Sequence, residues 1–245
     1  YTDFVVGNVL GSNIANIGLA IGLPAFFYKI DFNLKGAIAP FAYNLLACLM
    51  LYIFLQDNLI SFVEAQALLL VFFVYIIASF LRPNFTSCDG ELENEKEPCL
   101  KKSVGRIIAG SVILYFGSKL FVDNGAIPLV EIFGFSEKAI GMTVVAIGTS
   151  LPELFVTLMA LSKKEVGISL GNIIGSNIFN IFFVLATIAL ITPIEASNVI
   201  FELLLGVGFL LSLMLFIYLY NGLNKITAAI LFIGYLTFLY LQFYG

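Results

Sequence analysis

The sequence predicts an all-α polytopic membrane protein built from two inverted five-helix repeats, a ten-helix plan of which the last eight helices are present here. Three observations carry that reading. The chain of 245 residues is 60% hydrophobic and 11% charged, with a mean hydropathy of +1.03, whereas a soluble domain holds roughly 45–50% apolar and about 25% charged residues. Its apolar residues fall in runs of the ~20 residues that a bilayer core requires. And the segment from Gly7 to Ile17 returns from Gly171 to Ile181 with eight of eleven positions identical, at a constant offset of 164.

The elements follow from the polar breaks between apolar runs. A first span, Phe4–Phe27, ends at Lys29-Ile-Asp-Phe-Asn, and a second, Leu34–Leu55, ends at Gln56-Asp-Asn. The third, Leu59–Leu81, runs into the stretch 82–103, where Asp89, Glu91, Glu93, Glu95 and Glu97 surround Lys96. That stretch lacks the glycine and ligand spacing of an EF-hand loop, so a solvated linker is favoured over a calcium sensor. Val104–Val122 follows, then residues 123–137, then Lys138–Ser162 and Val166–Ile191 on either side of Lys163-Lys-Glu. Thr192-Pro-Ile-Glu precedes Asn198–Tyr220, and Asn221-Gly-Leu-Asn precedes Lys225–Tyr244. The domains expected are therefore 1–81, the three-helix remainder of the first repeat; 82–103, an acidic linker; and 104–245, the five-helix second repeat.

Orientation follows from the cations. With eight spans, one side collects Lys29, Lys35, Arg82, Lys96, Lys101, Lys102, Arg106, Lys163, Lys164 and Lys225, while the other has Lys119 and Lys138. The positive-inside rule then puts linker 82–103 in the cytoplasm and the C-terminus outside. Tyr28, Tyr52, Tyr220 and Tyr244 fall near span ends, where interfacial aromatics belong. Twelve Lys+Arg against sixteen Asp+Glu give no basic footprint for nucleic acid. The absence of histidine removes the usual general base and the HExxH zinc sites. Of the cysteines, Cys48, Cys88 and Cys99, the last two flank the acidic loop; free thiols are favoured over a pair.

Four spans separate the two copies of the repeated segment, so they run in opposite directions through the bilayer. Inverted repeats of this kind belong to secondary transporters, whose sites lie at the repeat interface near the midplane. The second copy is preceded by Gly148-Thr-Ser-Leu-Pro-Glu153. At the same offset the twin of that motif falls upstream of residue 1, which is Tyr and not Met. Two helices are therefore expected to precede this chain in its parent.

Glu153 stands about fifteen residues into its span, where a carboxylate costs roughly 2.5–3.5 kcal/mol and is functional by default. Pro152 removes an amide donor, so carbonyls around Ala146, Thr149 and Ser150 become available. Carbonyls, hydroxyls and a carboxylate together make a hard-oxygen cation site. The plainer alternative is a kink whose glutamate is only hydrogen-bonded or protonated. Asn8, Ser12 and Asn16 stand at i, i+4 and i+8, a polar stripe beside the small residues Gly7, Gly11 and Ala15. Asn172, Ser176 and Asn180, with Gly171 and Gly175, repeat it. Such stripes often only glue helices together, but two inverted copies favour a lined pathway. Asn13 and Asn177 lie off the stripe and are expected to be interhelical hydrogen-bond partners. Glu64, Glu202 and Asp3 lie near span starts and are expected to reach the interface, and Lys119 to snorkel.

The pair of motifs Gly148-Thr-Ser-Leu-Pro-Glu153 and Gly171-Asn-Ile-Ile-Gly-Ser-Asn177 resembles the α-repeat of the cation/Ca2+ antiporter superfamily, and most nearly its prokaryotic sodium/calcium exchangers. The resemblance spans nearly the whole chain. It implies alternate binding of several Na+ or one Ca2+ between the two repeats, with sliding gating helices switching access. It also implies no cofactor, a multi-pass place in the cell membrane and a monomeric state. Glu153 resembles a calcium-chelating glutamate, Thr149 and Ala146 resemble carbonyl donors, and Ser150, Ser12 and Ser176 resemble sodium ligands. Asn16 and Asn180 match the polar centre of each repeat, where some exchangers carry one aspartate. Proton-coupled relatives carry a Gly-Asn-x-x-Glu pattern instead, so the resemblance implies Na+ as the counter-ion and H+/Ca2+ exchange as the alternative.

Overall fold

The computed structural model describes residues 2–31, 38–81, 136–196 and 199–244, with scattered positions between 105 and 132. Among the described residues, seven helices are long and apolar enough to cross a membrane. They are α1 (Thr2–Phe26), α2 (Ile38–Asp57), α3 (Phe62–Leu81), α4 (Lys138–Ser162), α5 (Val166–Ile191), α6 (Ile200–Tyr220) and α7 (Lys225–Phe243). The expected span Val104–Val122 with Lys119, the linker 82–103 with Cys88 and Cys99, and Lys35 lie outside the continuously described residues.

Helices α4 and α5 keep the bounds their polar breaks predict. Helix α3 begins at Phe62, later than hydropathy alone suggests, because Leu59–Ile60 forms a short strand and Ser61 caps the helix. Glu64 accepts hydrogen bonds from the Ser61 N–H and hydroxyl, each at 2.8 Å, a capping box that satisfies amides otherwise left without partners. Glu64 is thus a cap bound to its own helix. Helix α7 opens in the same way: Asn224 Oδ1 accepts from the Ile226 and Thr227 N–H groups, and Thr227 Oγ1 accepts from the Asn224 N–H.

Two antiparallel strand pairs tie the connections together. β1 (Ile30–Asp31) pairs with β4 (Gly222–Leu223), and β2 (Leu59–Ile60) with β3 (Ile194–Glu195). β1 precedes α2 and β2 follows it, so the pairs sit at opposite ends of that helix. Gly222 has φ +146°, and a Cβ there would strike the Ile30 carbonyl oxygen; only glycine fits.

Helix α1 occupies the centre. Its most apolar window is 78% buried, against 50% for α5 and 17–39% for the other five. Its neighbours come close because glycines face them. A Cβ on Gly7 would lie 2.9 Å from the Lys138 carbonyl oxygen, one on Gly11 would overlap the Met142 backbone, and one on Gly141 would lie 2.7 Å from the Phe4 carbonyl oxygen. The small-residue face of the first copy therefore packs backbone to backbone on α4. At Gly171 and Gly175 in the second copy, an added Cβ meets nothing within 4 Å. The outer faces of the remaining helices expose Phe73, Ile77, Leu204, Leu215 and Ile233, apolar residues suited to lipid.

Within the seven described helices, π-helical segments interrupt α1 at Asn16–Ile21, α4 at Gly141–Val145 and α5 at Asn180–Leu185. The first and third are separated by the repeat offset. Pro152, by contrast, sits inside continuous α-helix, so the irregularity of α4 lies a turn or more before the proline and not at it.

Candidate functional site

Helices α1, α4 and α5 meet through polar side chains at mid-length. On the α1–α4 side, Ser12 Oγ lies 2.9 Å from Thr149 Oγ1 and donates to Asn8 Oδ1 at 3.3 Å. Thr149 Oγ1 also approaches the Val145 and Ala146 carbonyls at 3.1 and 3.2 Å, and Ser150 Oγ reaches the Ser12 carbonyl at 3.5 Å. On the α4–α5 side, Ser176 donates to Glu153 Oε1 at 2.9 Å, and Asn172 Nδ2 donates to the Glu153 carbonyl at 3.3 Å.

Between these groups α1 and α5 cross on four asparagines. Asn13 Nδ2 donates to the Asn177 carbonyl at 3.3 Å, and Asn177 Nδ2 donates to the Asn13 carbonyl at 3.2 Å. Asn16 Nδ2 donates to Asn177 Oδ1 at 2.9 Å, and Asn180 Nδ2 to Asn13 Oδ1 at 3.0 Å. Exchanging each residue for its counterpart 164 positions away reproduces the whole set. The crossing is therefore self-complementary.

All eight residues expected at the site, Glu153, Thr149, Ser150, Ala146, Ser12, Asn16, Ser176 and Asn180, sit on these three helices and take part in these contacts. Asn13 and Asn177 are interhelical partners, as their place off the stripe predicts. Asn8 and Asn172 join the network as well; their position one turn before each serine was the signal for them. Glu153 Oε2 on α4 and Asn16 Oδ1 on α1 are buried without a hydrogen-bond partner. A buried carboxylate oxygen without a partner is costly. Among the described residues, no group of three or more His, Cys, Asp and Glu could hold a metal ion. The donors here are one carboxylate, hydroxyls, amides and carbonyls, a set whose chemistry suits a hard cation more than a transition metal.

Glu202, in the first turn of α6, is 5% exposed; its Oε1 pairs with Lys138 Nζ at 2.8 Å, joining the start of α6 to the start of α4. Hydropathy could place both residues near span starts but not against each other. Asp3 lines a polar recess of about 420 Å³ with Asp57 and Glu195, at the end of the bundle that holds β2 and β3. Cys48 is a buried free thiol.

Seven membrane-length helices whose central members cross on buried polar side chains define a polytopic helical membrane protein. The profile of the sodium/calcium exchanger proteins matches residues 1–81 and 102–244, and the chain belongs to that family. It is 36% identical over 198 residues to the putative antiporter CaxA of Alkalimonas amylolytica, covering 78% of this chain and 61% of the relative. It is 28% identical over 237 residues to the sodium/calcium exchanger MaX1 of Methanosarcina acetivorans, covering 81% and 67%. The solved structure of the sodium-calcium exchanger NCX_Mj, soaked with Na+ and Sr2+, superposes with a TM-score of 0.74 at 31% identity, covering 98% of this chain and 77% of that one. The chain thus spans about three-fifths to two-thirds of the length of these curated relatives.

Proposed function

We propose that this protein is a secondary active antiporter that exchanges Na+ for Ca2+ across the cell membrane by alternating access. The observation that carries the reading is Glu153: a carboxylate at mid-span, held through one oxygen by Ser176 and with its other oxygen buried and unpartnered. Ca2+ and Na+ are both hard cations that take oxygen ligands. The residues proposed as ligands are Glu153, the carbonyls of Ala146 and Thr149, the hydroxyls of Ser12, Ser150 and Ser176, and the amides of Asn16 and Asn180. One divalent ion and several monovalent ions compete for the same oxygens, so one cargo displaces the other. With no cation bound, the buried carboxylate is uncompensated, which disfavours crossing without cargo.

The internal repeat supports alternating access. The strand pairs β1–β4 and β2–β3 exchange when the repeat offset is applied, with β1 going to β3 at 164 and β2 to β4 at 163. Two halves related in this way offer two equivalent arrangements open to opposite sides. The positive-inside count places the linker 82–103 in the cytoplasm and the C-terminus outside.

The test is Ca2+ uptake by proteoliposomes containing the full-length protein. An outward Na+ gradient is expected to drive uptake, and Glu153→Gln to reduce it at least 100-fold. Uptake driven at full rate by a pH gradient alone overturns the Na+ assignment in favour of H+ coupling. Undiminished uptake by Glu153→Gln overturns the site.

A further inference from the structure

We propose that Asn13 and Asn177 are positioning residues that set which end of the Asn180 and Asn16 amides faces the transported cation. The inference rests on the cation reading above. An asparagine amide has an oxygen that accepts and a nitrogen that donates, and the two ends are nearly identical in shape. Turning the amide by half a turn costs nothing sterically, yet it replaces a cation ligand with a group that repels cations. A site that uses asparagine therefore needs a second group to enforce the orientation.

The crossing of α1 and α5 supplies that enforcement from the backbone. A peptide carbonyl can only accept, so the Asn13 carbonyl requires the Nδ2 end of Asn177 to face it, at 3.2 Å. That turns Asn177 Oδ1 toward Asn16, which must answer with its own Nδ2, at 2.9 Å. Asn16 Oδ1 is thereby left on the far side, buried and without a partner. The mirror sequence runs from the Asn177 carbonyl through Asn13 to Asn180, at 3.3 and 3.0 Å. Reversing any one amide would set donor against donor or acceptor against acceptor, so polarity is transmitted in one direction, from main chain to ligand. The π-helical segments that begin at Asn16 and Asn180 loosen the helix ladder beside the crossing, and each carbonyl keeps a second lone pair for the amide. No titratable group takes part.

An aspartate in place of Asn16 or Asn180 presents oxygen at both ends and needs no orienting partner. This separates a positioning role from a structural one. In the full-length protein, equilibrium binding of radiolabelled Ca2+ is measured for Asn177→Leu in the native and the Asn16→Asp backgrounds, and for Asn13→Leu in the native and the Asn180→Asp backgrounds. The loss expected is about 10- to 100-fold in the native background, the usual cost of removing a group that orients a ligand. In the aspartate background the same substitution is expected to cost less than about 3-fold. Equal losses in both backgrounds at both pairs overturn the proposal and leave the asparagines as packing groups. Where a leucine variant does not fold, the corresponding alanine variant, which leaves space instead of filling it, carries the same comparison. Absence of Ca2+ binding by the unsubstituted protein overturns the cation reading itself, a failure distinct from the first.

Discussion

A carboxylate with one oxygen bonded and the other bare is a poised arrangement, and Glu153 has it. Ser176 is the only described side chain whose hydroxyl holds it, at 2.9 Å. A hydrogen bond to a charged group contributes about 1.5–3 kcal/mol, so Ser176→Ala is expected to weaken Ca2+ binding by roughly 10-fold or more, read by titration of the purified protein. Glu202 shares that arrangement, with Oε1 on Lys138 Nζ at 2.8 Å and Oε2 buried without a hydrogen-bond partner. Removing the lysine takes away its counter-charge. Lys138→Met alone is expected to destabilise the protein by about 3 kcal/mol, while Lys138→Met with Glu202→Leu recovers most of that loss. Thermal unfolding in detergent reads both, and an additive double variant would contradict the pairing.

At the level of elements, the central helix owes its position to what it lacks. Gly7 and Gly11 let α1 lie directly on the α4 backbone, and Gly18 accepts the Tyr235 ring, whose Cβ would lie 2.5 Å from an added methyl. Gly11→Ala has nowhere to put its Cβ except into the Met142 main chain, 2.6 Å from its Cα. Overpacking of this kind costs about 1–3 kcal/mol, and a matching fall in unfolding temperature is expected. Gly206→Ala is the control, since its Cβ would meet only Ile14 at an ordinary 3.7 Å; a comparable fall there would remove the explanation. The capping boxes of α3 and α7 and the left-handed residues Asn58 and Asn221 recur at an offset of 163. Local chemistry therefore repeats well beyond the eleven-residue motif.

For the whole molecule, the arrangement of loops makes a topological prediction. Asn58 precedes β2 and Asn221 precedes β4, and the two strand pairs lie at opposite ends of α2. With Cys48, Cys88 and Cys99 replaced, single cysteines at positions 58 and 221 are expected to label from opposite sides of the membrane with an impermeant thiol reagent. Labelling from one side would contradict the bundle topology. Position 221 shares its side with Lys29, Lys163 and Lys225, so the positive-inside count expects it to be the cytoplasmic one.

Much of the fold was legible because membrane insertion is a one-dimensional problem. Each span must bury its own backbone hydrogen bonds and match the bilayer thickness, so hydropathy alone set the bounds of α4 and α5, and the intervals between spans followed. The candidate site was legible as a list because carboxylate, amide and hydroxyl groups are conspicuous in an apolar chain, and the repeat doubled the signal. What the one-dimensional pattern could not contain was pairing. Glu64 and Glu202 look alike as carboxylates near span starts, yet one caps its own helix and the other neutralises a lysine about sixty residues away in sequence. The break in α4 at Gly141–Val145 also left no propensity signal, because a π segment is stabilised by the neighbours packed around it. Asn13 and Asn177 could be named as partners from their place off the stripe, but the polarity they impose on Asn16 and Asn180 depends on which carbonyl each amide meets. The sequence by itself determined the class of molecule, the bounds of α4 and α5 and which polar residues lie at mid-span, since those follow from the cost of polar groups in lipid. Only the tertiary structure decided which oxygens are engaged and which are left bare, since a hydrogen bond between helices depends on distances that no single helix encodes.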